Sequence, residues 1–514
     1  MSVEIVRTGA ELELAARVVE LVRRVAGPTA EAEVVVQHDA EALTRFANSM
    51  IHQNVAGAVT TVGLRLHLDG RTAGSSTTVV DPAGLAALVE RTVAAVRLSP
   101  PDHRWPGLTP PTALHRSAGY HGSGERSGLD FGFDEATARA DPAERAERVR
   151  DFVRAAGGLE TAGYCRTTYS SAAFANTAGQ AVEGRTAEAA MDGIARSNGS
   201  DGVARLASGR LADLNGAVLG ARAAAKARAG ERPIELPAGR YEVVLEPDAV
   251  ADLLGNLAMF GFNGKAWAQR QSFAKLGADQ FDPSVTIVDE PLGSRHDPAA
   301  GLPFDAEGTP RDWLVLVREG TTKAVTHDRS SAAEAGTVST GHATETSRTW
   351  GPMPHNLRLE AAPPPTEPPP TEPPPTGPTR PQPTPPQPTP PEPALGSTPA
   401  DPGGPTAESA RQMVAGMERG LLITDFWYTR VLDQKALVVT GLTRNGVWLV
   451  EDGEVTAAVG NMRFTQSYPQ ALGPGLVLGI GSQTVLLPDR WAGVRFAAPA
   501  LHLASWNLTG NASG

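Results

Sequence analysis

The chain is expected to be an α+β protein, with N-terminal helix/antiparallel-sheet units followed by a C-terminal antiparallel β sandwich or barrel-like domain. Three features lead there. A pattern of helix, meander and helix occurs twice before residue 231. From Leu236 onward short apolar runs alternate with Gly, Pro, Asp and Asn, the rhythm of an antiparallel all-β segment. A proline tract then interrupts that rhythm, and it has neither the amide donors nor the apolar bulk to join a core. The organisation read from this is an α+β unit at 1–100, a second with helices at 101–230, a mainly β domain at 231–360 plus 407–514, and a disordered Pro-rich insert at 361–406.

In the first unit, "ELELAARVVELVRRVAG" is an amphipathic helix and "AEVVVQHDAEALTRFANSMIHQNV" gives a strand, a turn and a second strand. Val62, Leu64, Leu66 and Leu68 alternate, and Asp69-Gly70 is a hairpin turn. "DPAGLAALVERTVAAVRLS" is a helix with Pro82 near its start. The loop from Pro101 to Gly128 separates this from a second set: the helix "DPAERAERVRDFVRAAGG", three alternating strands turning at Asn176 to Gly179, and the helix "LADLNGAVLGARAAAKARAG". The later strands are "GRYEVVLEP", "SVTIVDEP", "DWLVLVREG" and "ALVVTGLTRNGVWLVEDGEV". Pro363 to Pro393, close to half of the 43 prolines, would reach about 90 Å as polyproline II at ~3.1 Å per residue.

Composition removes several functions. The 514 residues carry Lys+Arg 46 against Asp+Glu 57, a net charge of -11, which disfavours nucleic acid as partner. Cys165 is the single cysteine, so thiolate metal clusters and intrachain disulfides are excluded, and an inert buried thiol is expected. No stretch approaches the roughly 18 apolar residues of a membrane span, and the N-terminus lacks the pattern of a signal peptide. A cytoplasmic protein, with no membrane or nucleic-acid partner, is the expectation.

The chemistry-bearing residues are sparse. None of the 11 histidines pairs with another at helical spacing or precedes a glutamate, as a zinc-hydrolase helix requires. His115 and His121 sit in a Pro/Gly loop and are expected at a solvated surface. No nucleophile elbow, P-loop or dinucleotide fingerprint occurs. Ser339 and His342 in "STGHATETS" form a conceivable hydroxyl-imidazole pair inside what reads as a polar loop. Asp289, Glu290, Asp297, Asp305 and Glu307 do not follow a calcium-loop spacing and read as a solvated loop.

Four stretches, "LTRFANSMIHQNV" (Leu43 to Val55), "GRTAGSSTT" (Gly70 to Thr78), "SVTIVDEPLGS" with "GLPFDAEGTP" (Ser284 to Pro310), and "GLLITDFWYTRVLDQKALVVTGLTRNGVWLVEDGEV", together resemble the TldD/PmbA (TldD/TldE) metallopeptidase family. The resemblance implies two homologous chains enclosing a proteolytic chamber that trims unfolded or modified peptides. In the TldD-type chain a helix bearing H-E-x-x-x-H supplies two zinc ligands and a general base, and a C-terminal cysteine supplies another ligand. On "LLGNLAMF" that motif puts Gly255 and Phe260 at the histidines and Asn256 at the glutamate. A hydrogen, a phenyl ring and a carboxamide can neither ligate zinc nor take a proton from water, and no cysteine follows Cys165. The implied role is a TldE/PmbA-like subunit with no catalytic residue, metal or cofactor of its own, zinc being expected in a TldD-type partner. Arg45, Asn48, Asn54, Asn256 and Asn263 are candidate substrate or interface residues. The alternatives are a self-sufficient serine/threonine-type amide hydrolase using Ser339 and His342, or a non-enzymatic peptide-binding scaffold.

Overall fold

The computed structural model describes residues 7–114, 133–291, 301–361, 408–488 and 495–512. His115, His121, Asp297 and the tract Pro363 to Pro393 lie outside the described residues. The first half is built from α1 (Ala10–Ala26), β1 (Glu31–Ala47), β2 (Met50–Leu68), β3 (Arg71–Thr77), α2 (Pro82–Leu98), α3 (Glu135–Ala138), α4 (Pro142–Ala155), β4 (Glu160–Asn176), β5 (Ala181–Ser197), β6 (Ser200–Ser208) and α5 (Gly216–Ala229). Asp81 and Asp141 cap α2 and α4, each followed by proline at the first turn, which satisfies otherwise orphaned amides.

The two helix–meander–helix sets share one sheet. Its order is β3-β2-β1-β4-β5-β6, and β1 joins β4 antiparallel from Glu33↔Asn176 to Phe46↔Gly163. α1 and α2 cover one end through a core of Val18, Val22, Val34, Leu64, Leu85 and Leu88. α4 and α5 cover the other through Val149, Phe152, Met191 and Ala223. The expected helix over Leu211 to Gly230 is shorter than its composition suggests. Asn215 caps it by accepting from the Val218 amide, so Leu211–Asp213 forms a separate 3₁₀ turn.

The second half contains β7 (Gly239–Leu245), α6 (Pro247–Asn256), α7 (Gly264–Ala268), β8 (Val285–Asp289), β9 (Leu314–Arg318), β10 (Thr321–Thr322), α8 (Arg329–Ala335), α9 (Ser347–Trp350), β11 (Asn356–Ala361), α10 (Glu408–Ala415), β12 (Arg419–Asp433), β13 (Val438–Glu451), β14 (Glu454–Ala458), β15 (Met462–Ser467), α11 (Tyr468–Ala471), β16 (Val477–Ile480), β17 (Val485–Leu487), β18 (Arg495–Ala498) and β19 (Leu501–Asn511). One sheet runs β10-β9-β8-β11-β18-β17. In the other, the pairings β12–β7, β7–β19, β19–β15, β15–β13 and β13–β12 close a ring, the barrel-like form of the expectation. Most pairings in the two sheets are antiparallel, as expected, and two are not. β7 lies parallel to β12 and β11 parallel to β18, each pair being joined by a long crossover connection rather than a hairpin.

A single core runs through both sheets with α6 inside it: Leu253, Leu254 and Leu257 pack with Val243, Leu357, Ile423, Phe496 and Trp506. The helix expected there is therefore central. Among the described residues no helix is long and apolar enough to cross a membrane.

Candidate functional site

β7 delivers the chain to α6. Glu246 is the residue before the helix, Pro247 opens it, and the buried Leu253 and Leu254 fix its inner side. Residues 252, 255, 256, 259 and 260 are each only partly buried, a stripe with the three-to-four spacing of an outward helix face. Leu257–Gly261 forms a π turn in which the Phe262 amide donates to the Leu257 carbonyl at 2.8 Å. A π turn brings residues five apart onto one face. That is the spacing of Gly255 and Phe260, and it is what an H-x-x-x-x-H pair would need to converge on one ion.

The residues now on that face do not fit zinc. Gly255 lies against Phe496, whose ring would stand 3.3 Å from an added Cβ. Phe260 is packed against the core. Asn256 donates from Nδ2 to the Asp252 carbonyl at 2.9 Å and to its carboxylate at 3.3 Å. The face has instead been closed around Asp252. Its Oδ1 accepts from Thr429 Oγ1 of β12 at 2.8 Å, and its Oδ2 accepts from the buried Tyr468 hydroxyl at 3.1 Å. Burial and the Asp252 charge both push the Tyr468 phenol well above its ordinary value, so it stays a donor. Of this cluster the sequence singles out Asn256 alone; Asp252, Thr429 and Tyr468 carry no such mark, and the available signal is the i, i+4 spacing of Asp252 and Asn256.

The other candidates fall in two places. Asn263 is buried and spent as the cap of α7: its Oδ1 accepts from the Lys265 and Ala266 amides at 3.0 and 3.2 Å, and its Nδ2 donates to the Trp350 carbonyl at 2.6 Å. Arg45, Asn48 and Asn54 lie together at the turn end of the β1–β2 hairpin. Asn48 has a φ of 49° in the turn, and the Arg45 guanidinium reaches Gln53 across the hairpin at 3.4 Å.

Ser339 and His342 are not a catalytic pair. The Ser339 hydroxyl donates to the His327 carbonyl at 3.2 Å, while His342 Nδ1 faces Thr340 at 2.9 Å and Nε2 faces Asp289 at 2.9 Å. The solvated loop expected of the acidic residues also needs correction, for Asp289, Glu290, Asp305 and Glu307 are buried. Asp289 accepts from the His355 and Asn356 amides, and Asp305 accepts from the amides of Glu307, Thr309 and Ala343. Burial, with Glu307 nearby, raises Asp305 to about 6. These carboxylates hold the fold together, and Ser339 to Thr344 is a polar loop between α8 and α9 as expected, with His342 buried at 1% exposure. Among the described residues no group of three or more His, Cys, Asp or Glu is arranged to hold a metal ion. Cys165 is buried, and burial pushes its thiol up to about 12, as expected of an inert thiol.

Ionic clusters tie this region to the N-terminal sheet. Arg205 of β6 reaches Asp192 at 2.9 Å, Asp248 of α6 at 2.7 Å and Asp425 of β12 at 2.9 Å. Lys226 of α5 pairs with Glu246, and Arg222 stands 3.3 Å from the same carboxylate. Burial acts to raise Glu246, but these two cations outweigh it and hold the carboxyl below its ordinary value.

Two family models match the sequence: the PmbA/TldA metallopeptidase C-terminal domain over residues 238–369 and 374–510, and PmbA/TldA metallopeptidase domain 1 over residues 32–96. Among solved structures the chain is similar to TldE from Thermococcus kodakarensis, at 15% identity over 97% of this chain and 100% of that one, with a TM-score of 0.76. It is also similar to a putative modulator of a DNA gyrase from Thermotoga maritima, at 17% identity over 97% and 99% with a TM-score of 0.73. A putative modulator of DNA gyrase from Bacteroides thetaiotaomicron matches at 17% identity over 97% and 98%, with a TM-score of 0.70. No curated protein matches the sequence.

Proposed function

The chain belongs to the PmbA/TldA metallopeptidase family, and from that premise we propose that it is a TldE/PmbA-like subunit without zinc ligands, which pairs with a zinc-bearing TldD-type homologue to trim or degrade peptides. The observation that carries the reading is the outward face of α6 and its π turn. The geometry that would let residues 255 and 260 converge is kept, while the side chains there are a hydrogen and a phenyl ring, and the amide of Asn256 is engaged by Asp252. A carboxamide cannot act as the general base. The subunit's part would be to complete the chamber and to hold an extended peptide against its sheets, as strand addition allows. A cytoplasmic setting, where the single buried thiol needs no oxidation, fits this role.

The test is copurification with a candidate zinc-bearing homologue, followed by peptide hydrolysis and metal analysis of each chain. Hydrolysis should appear only in the mixture, vanish with a chelator, and track zinc held by the homologue. Stoichiometric zinc on the isolated chain, or chelator-resistant hydrolysis by it alone, would overturn the proposal.

A further inference from the structure

A cleft opens just beyond the π turn. Trp267 of α7, Arg270 and Ser272 directly after it, Glu334 of α8 and Lys435 of the β12–β13 turn line its volume of about 440 Å³. The Ser272 hydroxyl donates to the Gly261 carbonyl at 2.5 Å, so one wall is fastened to the last residue of the π turn. Trp267 gives the lining its aromatic part. It packs against the core and meets the His327 ring edge-on, with 6.2 Å between centroids.

Arg270, Lys435 and Glu334 share this lining, and among the described residues none of the three side chains forms an ion pair or a hydrogen bond. Elsewhere clustered charges are spent on one another, as those of Arg205 and Lys226 are. Arg270 also stands where the backbone favours another residue. Its amide donates to the Trp267 carbonyl at 2.9 Å and the Gln271 amide donates to the Ala266 carbonyl at 2.8 Å, the double closure of a Schellman helix end, and its φ is 60°. That left-handed position is ordinarily glycine's. An arginine kept there against backbone preference points to a use for its side chain.

We propose that this cleft takes the C-terminal end of a short peptide. The carboxylate sits with Arg270 and Lys435, an apolar last side chain lies on the Trp267 indole, and Glu334 accepts from the N–H of the last peptide bond. The charges decide for this ligand. The two cations and one carboxylate of the lining leave one positive charge over, which one carboxylate matches, and a guanidinium with an ammonium gives it charge-assisted hydrogen bonds. A free phosphate, carrying more negative charge and no N–H, would set a like charge against Glu334 and leave the indole uncovered.

This names the end of the substrate that the chain would hold, and it rests on the peptide-handling role proposed above. The test is calorimetric titration of the isolated full-length chain with acetyl-Ala-Ala-Phe. The free acid should bind, and the same peptide ending in a carboxamide should bind at least about tenfold more weakly, the loss expected when charge-assisted hydrogen bonds go. Acetyl-Ala-Ala-Gly, which offers the indole no side chain, should also bind more weakly. Arg270→Gly should weaken the free acid as much as the carboxamide does while melting no lower than the wild type, since glycine suits this φ. Lys435→Gln, in an exposed turn, should act in the same direction and disturbs no contact of the fold. A wild type that does not bind the acid would overturn the proposal, as would equal binding of acid and carboxamide, full binding by Arg270→Gly, or displacement of the peptide by an equal concentration of inorganic phosphate. The homologue is absent from this titration, so the pair can form while the peptide fails to bind, and the peptide can bind while the pair fails to form.

Discussion

The two sides of the N-terminal sheet have met the problem of ending in opposite ways. On the β6 side the sheet is closed by the second half of the molecule. Ala190 and Ala207 pack on Leu486 and Ala497, and Arg205 sits among Asp192, Asp248 and Asp425. On the β2 side ten consecutive residues, Met50 to Val59, are exposed and carry no ionisable group except His52. Charge is thus concentrated where the surface is permanently covered and absent where it is bare. A covered charge needs its fixed partner, whereas a bare uncharged edge can be changed at little cost to the fold.

The contrast breaks most readily at Arg205. Arg205→Ala leaves the carboxylates of Asp248 and Asp425 buried without their cation, at 5% and 0% exposure, and removing one partner of a buried ion cluster costs about 3–5 kcal/mol. Chemical denaturation should show a loss of that size. A loss under about 1 kcal/mol would mean that the seam is held by packing rather than charge.

Acid should weaken the same seam elsewhere. His327 precedes the Asp328 cap of α8, whose Arg329 pairs with Glu33 and Glu307 of the two halves. Burial, and then the neighbouring His342, lower His327 from 6.5 to about 4. A depressed folded-state value means that its contribution is present above pH 6.5 and is lost as pH falls through about 4. The difference converts to about 3 kcal/mol. Burial raises the Glu33 and Asp305 carboxyls to about 7 and about 6, which acts in the opposite sense over this range, so the share of His327 shows as a difference: between pH 6.5 and 4 the wild type should lose stability relative to His327→Gln. Equal pH profiles for the two proteins would place the acid sensitivity in other groups.

A smaller effect is expected on the outward face of α6. Asp252→Ala leaves the buried Tyr468 hydroxyl without its acceptor at a cost of about 1–3 kcal/mol. Thermal melting reads it directly, and no change would show that Tyr468 finds another acceptor.

Local signals in the sequence were enough for most of the first half. Asp81-Pro82 and Asp141-Pro142 mark helix starts and Asp69-Gly70 marks a hairpin, all through contacts within a few residues. What joins the halves was not legible. β7 and β12 pair in parallel although they are separated by the whole proline tract, and no local pattern encodes such a partner. The same holds for the site. Gly255, Asn256 and Phe260 could be found by resemblance, but the π turn that puts residues 255 and 260 on one side, and the closure by Thr429 and Tyr468, depend on distant strands. Ser339 and His342 mislead for the converse reason, since three residues of separation placed them on different partners.

The smallest expected effect is the one that separates the two sides of the sheet most cleanly. Val55 and Val59 are nearly half exposed, so replacing both with lysine removes little packing, and the folding stability should change by no more than about 0.5 kcal/mol per site. Chemical denaturation of the variant carrying Val55→Lys and Val59→Lys should therefore match that of the wild type to within about 1 kcal/mol, against the loss of about 3–5 kcal/mol expected of Arg205→Ala. If the variant loses as much as Arg205→Ala does, the β2 edge is covered and the two sides of the sheet end alike.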